Sequence, residues 1–218
     1  STLFPYTTLF RSLYTETCQL VVRADSNIQT LDDLSGHTVS IGAEESGTER
    51  NATQILEFAG MPSSLVATKN LDYIEATKEL KAGDIDAFFC TAGLTTTVIE
   101  ELSKECDIRL IPLTDTVISK MLESSSAYTS EVIPAGTYTG QTTDISTIGV
   151  KSVLITKSDV SDDTIEQLTS LLFEKENELS YSNSLKLELT YDFATDGIPI
   201  PFHNGAKRYY EDCGYSTN

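Results

Sequence analysis

Ser46, Gly47 and Thr48 are the residues whose types and spacing best suit chemistry. They stand where a strand gives way to a helix, and the opening amides of a helix have no partner inside it. The positive end of the helix dipole falls at the same place, so a carboxylate or other small anion can be held there. Gly47 lets a ligand approach the backbone, and the two hydroxyls add polar groups. The competing role for Ser46 is that of a simple helix cap. Glu44 and Glu45 bear on the choice of ligand, because two carboxylates repel an anion unless they face solvent. They suit instead an ammonium group of the kind an amino acid carries.

The elements that must position these residues are legible around them. Residues 38–41 alternate and carry β-branched side chains, which predicts a strand ended by Gly42. Ser46 and Glu49 have the spacing of a capping box, and Ala52, Ile55, Leu56 and Ala59 form one buried helical face. Gly60 and Pro62 stop that helix. Asp72 and Glu75 repeat the capping pattern for a second helix, with Ile74, Thr77 and Leu80 expected on its inner face and Gly83 as its stop. Residues 85–90 are almost continuously apolar, as in a strand covered on both faces, and lead into a turn at Thr91, Ala92 and Gly93.

Strands alternating with helices imply βαβ units and a mainly parallel sheet. Ligands of such sheets sit beyond the carboxyl ends of the strands, so the turns at 42–48 and 91–94 are expected on one rim. Residues 18–24 and 148–156 read as further strands. Ser161 caps a helix whose Ile165, Leu168 and Leu172 should face inward. Residues 133–141, with one proline, two glycines and several hydroxyls, suggest a hinge that includes Ala135, Gly136 and Thr137, or an ordinary loop. His203, beside Asn204 and Gly205, is expected to hydrogen-bond a turn rather than to catalyse.

The net charge of −18 argues against nucleic acid and anionic membrane surfaces as partners. Cys18, Cys90, Cys106 and Cys213 are scattered, and His37 lies far from His203, so spacing reveals no metal site or Cys/His dyad. Cys90 ends an apolar run and is expected to be a buried free thiol; one disulfide of unnamed pairing stays open. No nucleophile–base pair or cofactor loop stands out, which points away from an enzyme. Residues 1–12 resemble an in-frame translation of a common sequencing adapter. That reading sets them outside the fold and predicts that they lack a consistent packing partner.

Three stretches together resemble the TAXI family of solute-binding proteins that serve TRAP-type transporters. They run from Asp33 to Glu49, from Ile133 to Gln141, and from Gly197 to Tyr210 with its Ile-Pro-Ile-Pro-Phe-His core. Asp86 to Phe89 with Ala92 and Gly93 supports them. The resemblance implies an α/β periplasmic-binding-protein type II fold, truncated at its N-terminus, with one nearly complete lobe and a partial second one. Residues 13–24 would be a strand or hinge of the partial lobe, 25–133 the ligand-binding lobe, and 134–218 the hinge return and the remainder of the partial lobe. It implies an extracytoplasmic receptor, without metal or cofactor, that captures glutamate, glutamine or a 2-oxoacid for the membrane components of a TRAP-type transporter. Ser46, Gly47, Thr48, Thr91, Ala92, Gly93 and Tyr138 would bind the ligand. Asn204 and Thr139 stand where the family usually has proline, and Glu44 and Glu45 replace smaller residues. The effector-sensing domain of a transcription regulator shares this architecture and is the alternative.

Overall fold

A computed structural model describes residues 7–175, 187–188 and 190–217. The chain divides into two compact units, one of them Glu16–Val150 and the other formed by Ser1–Thr15 with Lys151–Asn218.

In the unit Glu16–Val150 the sheet follows the order β3-β2-β4-β1-β7-β6, with β5 also paired to β1. These strands are β1 (Thr7–Arg23), β2 (Thr38–Ser40), β3 (Ala67–Lys69), β4 (Ala87–Ala92), β5 (Ile108–Leu110), β6 (Tyr128–Ile133) and β7 (Ile145–Lys157). The expectation of a mainly parallel sheet is corrected. β2 is parallel to β3 and to β4, but β1 runs antiparallel to β4 and β5, and β6 runs antiparallel to β7. Both of these parallel pairs involve strands joined by the helical crossovers α1 (Gly47–Phe58) and α2 (Tyr73–Ala82). The fold is a mixed α/β sheet with helices.

The period of two along β1 and β4 sorts their side chains onto two faces. Leu20, Val22, Ala87 and Phe89 meet Ile55 and Leu56 of α1 and Met121 of α4 (Asp115–Ser124) on one face. Val21, Phe88 and Cys90 meet Leu80 of α2 and Ile99 and Leu102 of α3 (Thr97–Glu105) on the other. Both faces are covered, which is why residues 85–90 read as unbroken apolar sequence. On α2 the buried positions are Ala76 and Leu80; Ile74, expected inward, is exposed.

The second unit is built on α5 (Asp162–Glu174), α6 (Tyr191–Thr195) and α7 (Asn204–Asp212). Gly205 lets α7 meet α5: a Cβ there would stand 2.1 Å from the Asp162 carbonyl oxygen. His203 caps α7, its Nδ1 accepting from Gly205 N at 3.1 Å while Nε2 faces the Val160 carbonyl at 3.0 Å. Ile165 is buried in this core, but Leu168, expected inward, is exposed.

The packing expected of residues 1–12 is also corrected for those that are described. Leu9, Phe10, Arg11 and Ser12 are buried strand residues of β1. Leu9 N donates to Pro201 O, His203 N donates to Leu9 O, and Thr8 Oγ1 donates to Thr156 O on the opposite side. The stretch has no apolar alternation, and both faces of this part of β1 are covered, as the burial of the consecutive residues Leu9 to Ser12 shows. Residues 1–6 lie outside the described residues.

Candidate functional site

The helix α1 begins as its sequence dictates. Ser46 is the N-cap, with extended backbone and a side chain that accepts from Glu49 N at 3.0 Å. The reciprocal half of the expected box is displaced by one residue: Glu49 Oε2 accepts from Glu45 N at 2.6 Å. That bond holds Glu45 at φ 61°, an uncommon conformation for a residue with a side chain. The first backbone bond across the cap is Arg50 N to Ser46 O at 3.3 Å, so the amides of Gly47 and Thr48 precede the helical ladder. Gly47 is exposed, with nothing within 4 Å of the direction a side chain would take.

Thr48 behaves differently from Ser46. It is buried, and its Cβ packs where only glycine fits opposite: a Cβ on Gly42, which has φ +96°, would lie 2.8 Å from Thr48 Cβ. Its hydroxyl meets the Tyr73 hydroxyl at 2.6 Å. Tyr73 in turn donates to Thr91 O at 3.0 Å and accepts from Thr91 N at 3.3 Å. A carbonyl can only accept, so the single phenolic proton goes to Thr91 and the Thr48 hydroxyl proton goes to Tyr73. Thr48 therefore has no hydroxyl proton left for a ligand, whereas Ser46 keeps its own.

Tyr73 fills a gap in the sheet. β2 ends at Ser40, opposite Phe88, and leaves the last residues of β4 without a strand on that side. Thr91 directs both backbone groups into the gap, and the phenol satisfies them. Burial pushes the Tyr73 hydroxyl up to about 12, so it stays protonated and able to donate. Behind it, Thr91 Oγ1 accepts from Asn51 Nδ2 at 3.4 Å, and Tyr128 OH donates to Asn51 Oδ1 at 3.0 Å. The turns at 42–48 and 91–94 are thus brought together on one rim by the parallel pair β2–β4 and by this chain of side chains.

Ala92 is half-buried in the same rim, and Gly93 O accepts from Thr96 Oγ1 at 3.0 Å. Tyr138 belongs to a second cluster. Its hydroxyl donates to Gln19 Oε1 at 2.6 Å and accepts from Thr96 N at 3.1 Å, and the residue is only 3% exposed. Ala135, Gly136 and Thr137 form a closed turn, with Gly136 N donating to Gln141 O and Ala135 N to Asp144 Oδ1. That turn lies inside the unit Glu16–Val150, whereas the chain passes between units within β1 and β7.

Tyr73, Asn51, Gln19 and Thr96 were not visible as site residues in the sequence. Tyr73 follows the Asp72 cap directly, but nothing in its spacing to Thr48 or Thr91 signals that they meet. Along the outer side of α1 an open groove of about 390 Å³ is lined by Glu45, Ser46, Glu49, Arg50, Gln54 and others. Its carboxylates outnumber Arg50, although Glu49 is engaged by Glu45 N and by Asn70 Nδ2 at 2.7 Å. Among the described residues no three His, Cys, Asp or Glu side chains gather as a metal would require. No helix among them is long and apolar enough to cross a membrane.

A profile of the NMT1-like family matches residues 8–214. The chain belongs to the NMT1-like family. Solved structures similar to this NMT1-like chain include the periplasmic aliphatic sulphonate binding protein SsuA from Escherichia coli. It is 14% identical, with 83% of this chain and 52% of that one covered and a TM-score of 0.46. A Streptococcus mutans structure described for glutathione import through GshT is 14% identical, with coverages of 84% and 65% and a TM-score of 0.46. An ancestral arginine-binding protein bound to glutamine is 16% identical, with coverages of 82% and 60% and a TM-score of 0.42. The NMT1-like chain spans between about half and two thirds of the length of these structures.

Proposed function

We propose that this NMT1-like chain is the larger part of an extracytoplasmic solute-binding receptor that captures a small carboxylate and hands it to the membrane components of a TRAP-type transporter. The observation that carries the reading is the open first turn of α1. Gly47 is uncovered, Ser46 retains a hydroxyl proton, and the C-terminal end of β4 at Thr91 and Ala92 is tied to the same rim through Tyr73. A carboxylate accepting the amides of Gly47 and Thr48 and the Ser46 hydroxyl would sit at the positive end of a twelve-residue helix. Family membership over residues 8–214 and the order of the motifs from Asp33 to Tyr210 support a binding role without catalysis.

The charges around the turn favour glutamate or glutamine over a 2-oxoacid. Glu45 and Glu49 line the groove beside the opening and Glu44 precedes them in the chain, so an ammonium group on the ligand would meet carboxylates favourably. Calorimetric titration with glutamate, glutamine and 2-oxoglutarate tests the proposal. Heat with an amino acid, lost in Gly47→Pro, which removes one of the amides, supports it. No heat with any of the three would sink the carboxylate assignment.

A further inference from the structure

We infer that Tyr73 is the positioning residue that sets the two ligand turns against each other, an inference that rests on the rim site proposed above. One phenolic oxygen is shared by both turns: Thr48 Oγ1 lies 2.6 Å from it, and Thr91 O and N lie 3.0 and 3.3 Å away. Thr48 is the second residue of α1, so its place fixes where the free amides of Gly47 and Thr48 point. Thr91 is the penultimate residue of β4, which continues through Ala92 and leads into Gly93. β2 stops too early to hold Thr91 through the backbone ladder, so side-chain bonding substitutes for a missing strand.

The arrangement also has direction. The proton of Thr48 goes to Tyr73 and that of Tyr73 to Thr91 O, so the hydrogen bonds form one polarised relay between the turns. Tyr73 never needs to touch the ligand. Removing its hydroxyl leaves Thr48 and both backbone groups of Thr91 without their shared partner, while the ring still fills its place against the core packed around Cys90 and Leu80.

The test uses the 218-residue chain, the single variants Tyr73→Phe and Thr48→Val, and the double variant that combines them. Each is titrated with glutamate, glutamine and 2-oxoglutarate, and amide NMR spectra are recorded without ligand. Tyr73→Phe is expected to weaken binding about fivefold to tenfold, the size of one lost buried hydrogen bond. The amide signals of Gly47 and Gly93 should move together, and Thr48→Val should add little on top of Tyr73→Phe because both remove one shared interaction. Unchanged Gly47 and Gly93 signals in Tyr73→Phe would overturn the inference, even if the melting temperature fell. So would two fully additive losses. If the unaltered chain binds none of the three probes, the rim as a carboxylate site falls, and the amide signals alone decide the role of Tyr73.

Discussion

The Tyr138 hydroxyl donates to Gln19 Oε1 at 2.6 Å, joining residues 119 positions apart. Gln19 in turn donates to Thr96 Oγ1 at 2.8 Å, and Thr96 N returns to the same phenol. The three residues close a ring of buried polar groups in which each satisfies the next. Tyr138→Phe opens the ring and leaves a buried amide oxygen without its donor. The expected loss is about 1–3 kcal/mol of stability, read as a lower urea midpoint with unchanged slope. A midpoint equal to that of the parent chain would show that Gln19 finds another donor.

Gly42 and Thr48 cannot both keep their places if residue 42 gains a side chain. Gly42→Ala places a methyl group 2.8 Å from Thr48 and forces φ +96° on a residue that resists it. It should cost at least about 1–3 kcal/mol through overpacking and backbone strain. Ser46→Ala, by comparison, loses only the cap bond to Glu49 N, worth about 1 kcal/mol. Thermal melts of the two variants should rank in that order.

The α5–α7 contact allows no side chain at residue 205. Gly205→Ala sets a methyl carbon 2.1 Å from the Asp162 carbonyl, a backbone atom that cannot swing aside. Separation of the two helices, detected as faster amide exchange in Ile165 and Ala206, is the expected result. Exchange as slow as in the parent chain would mean that α5 shifts as a whole without loosening.

Burial pushes the thiols of Cys18 and Cys90 from the ordinary 9.0 up to about 12. Above pH 9 the unfolded chain releases these protons and the folded chain does not. Stability from these groups is therefore complete below pH 9 and falls as the pH rises toward 12. The slope is about 1.4 kcal/mol per pH unit for each thiol. Urea melts at pH 8, 9 and 10 check the sign. At pH 8 a thiol reagent should label exposed Cys213 in the native chain and reach Cys18 and Cys90 only after unfolding.

Much of this architecture was legible because local signals agreed with the fold. Asp72 and Glu75 form the reciprocal cap their spacing announces, and residues 85–90 are apolar because both faces of β4 are covered. The direction of β1 was not legible, since alternation in a strand carries no information about which way its neighbour runs. The place of Leu9 and Phe10 in β1 was not legible either, since the stretch lacks a period of two and its burial comes from partners distant in sequence such as Pro201 and Tyr210. The open turn at Ser46–Thr48 could be read from the cap and the glycine. Tyr73 could not, because its partners at 48 and 91 come from two other elements and meet it only in three dimensions.

Cys18 and Cys90 lie in different cores, on opposite sides of the sheet. A wall of backbone stands between the two sulfurs, so oxidation cannot staple them to each other while the fold is intact. Such a chain can enter an oxidising space without joining Cys18 to Cys90 there. Cys213, out in solvent, is then the position where two copies would be tethered on storage in air.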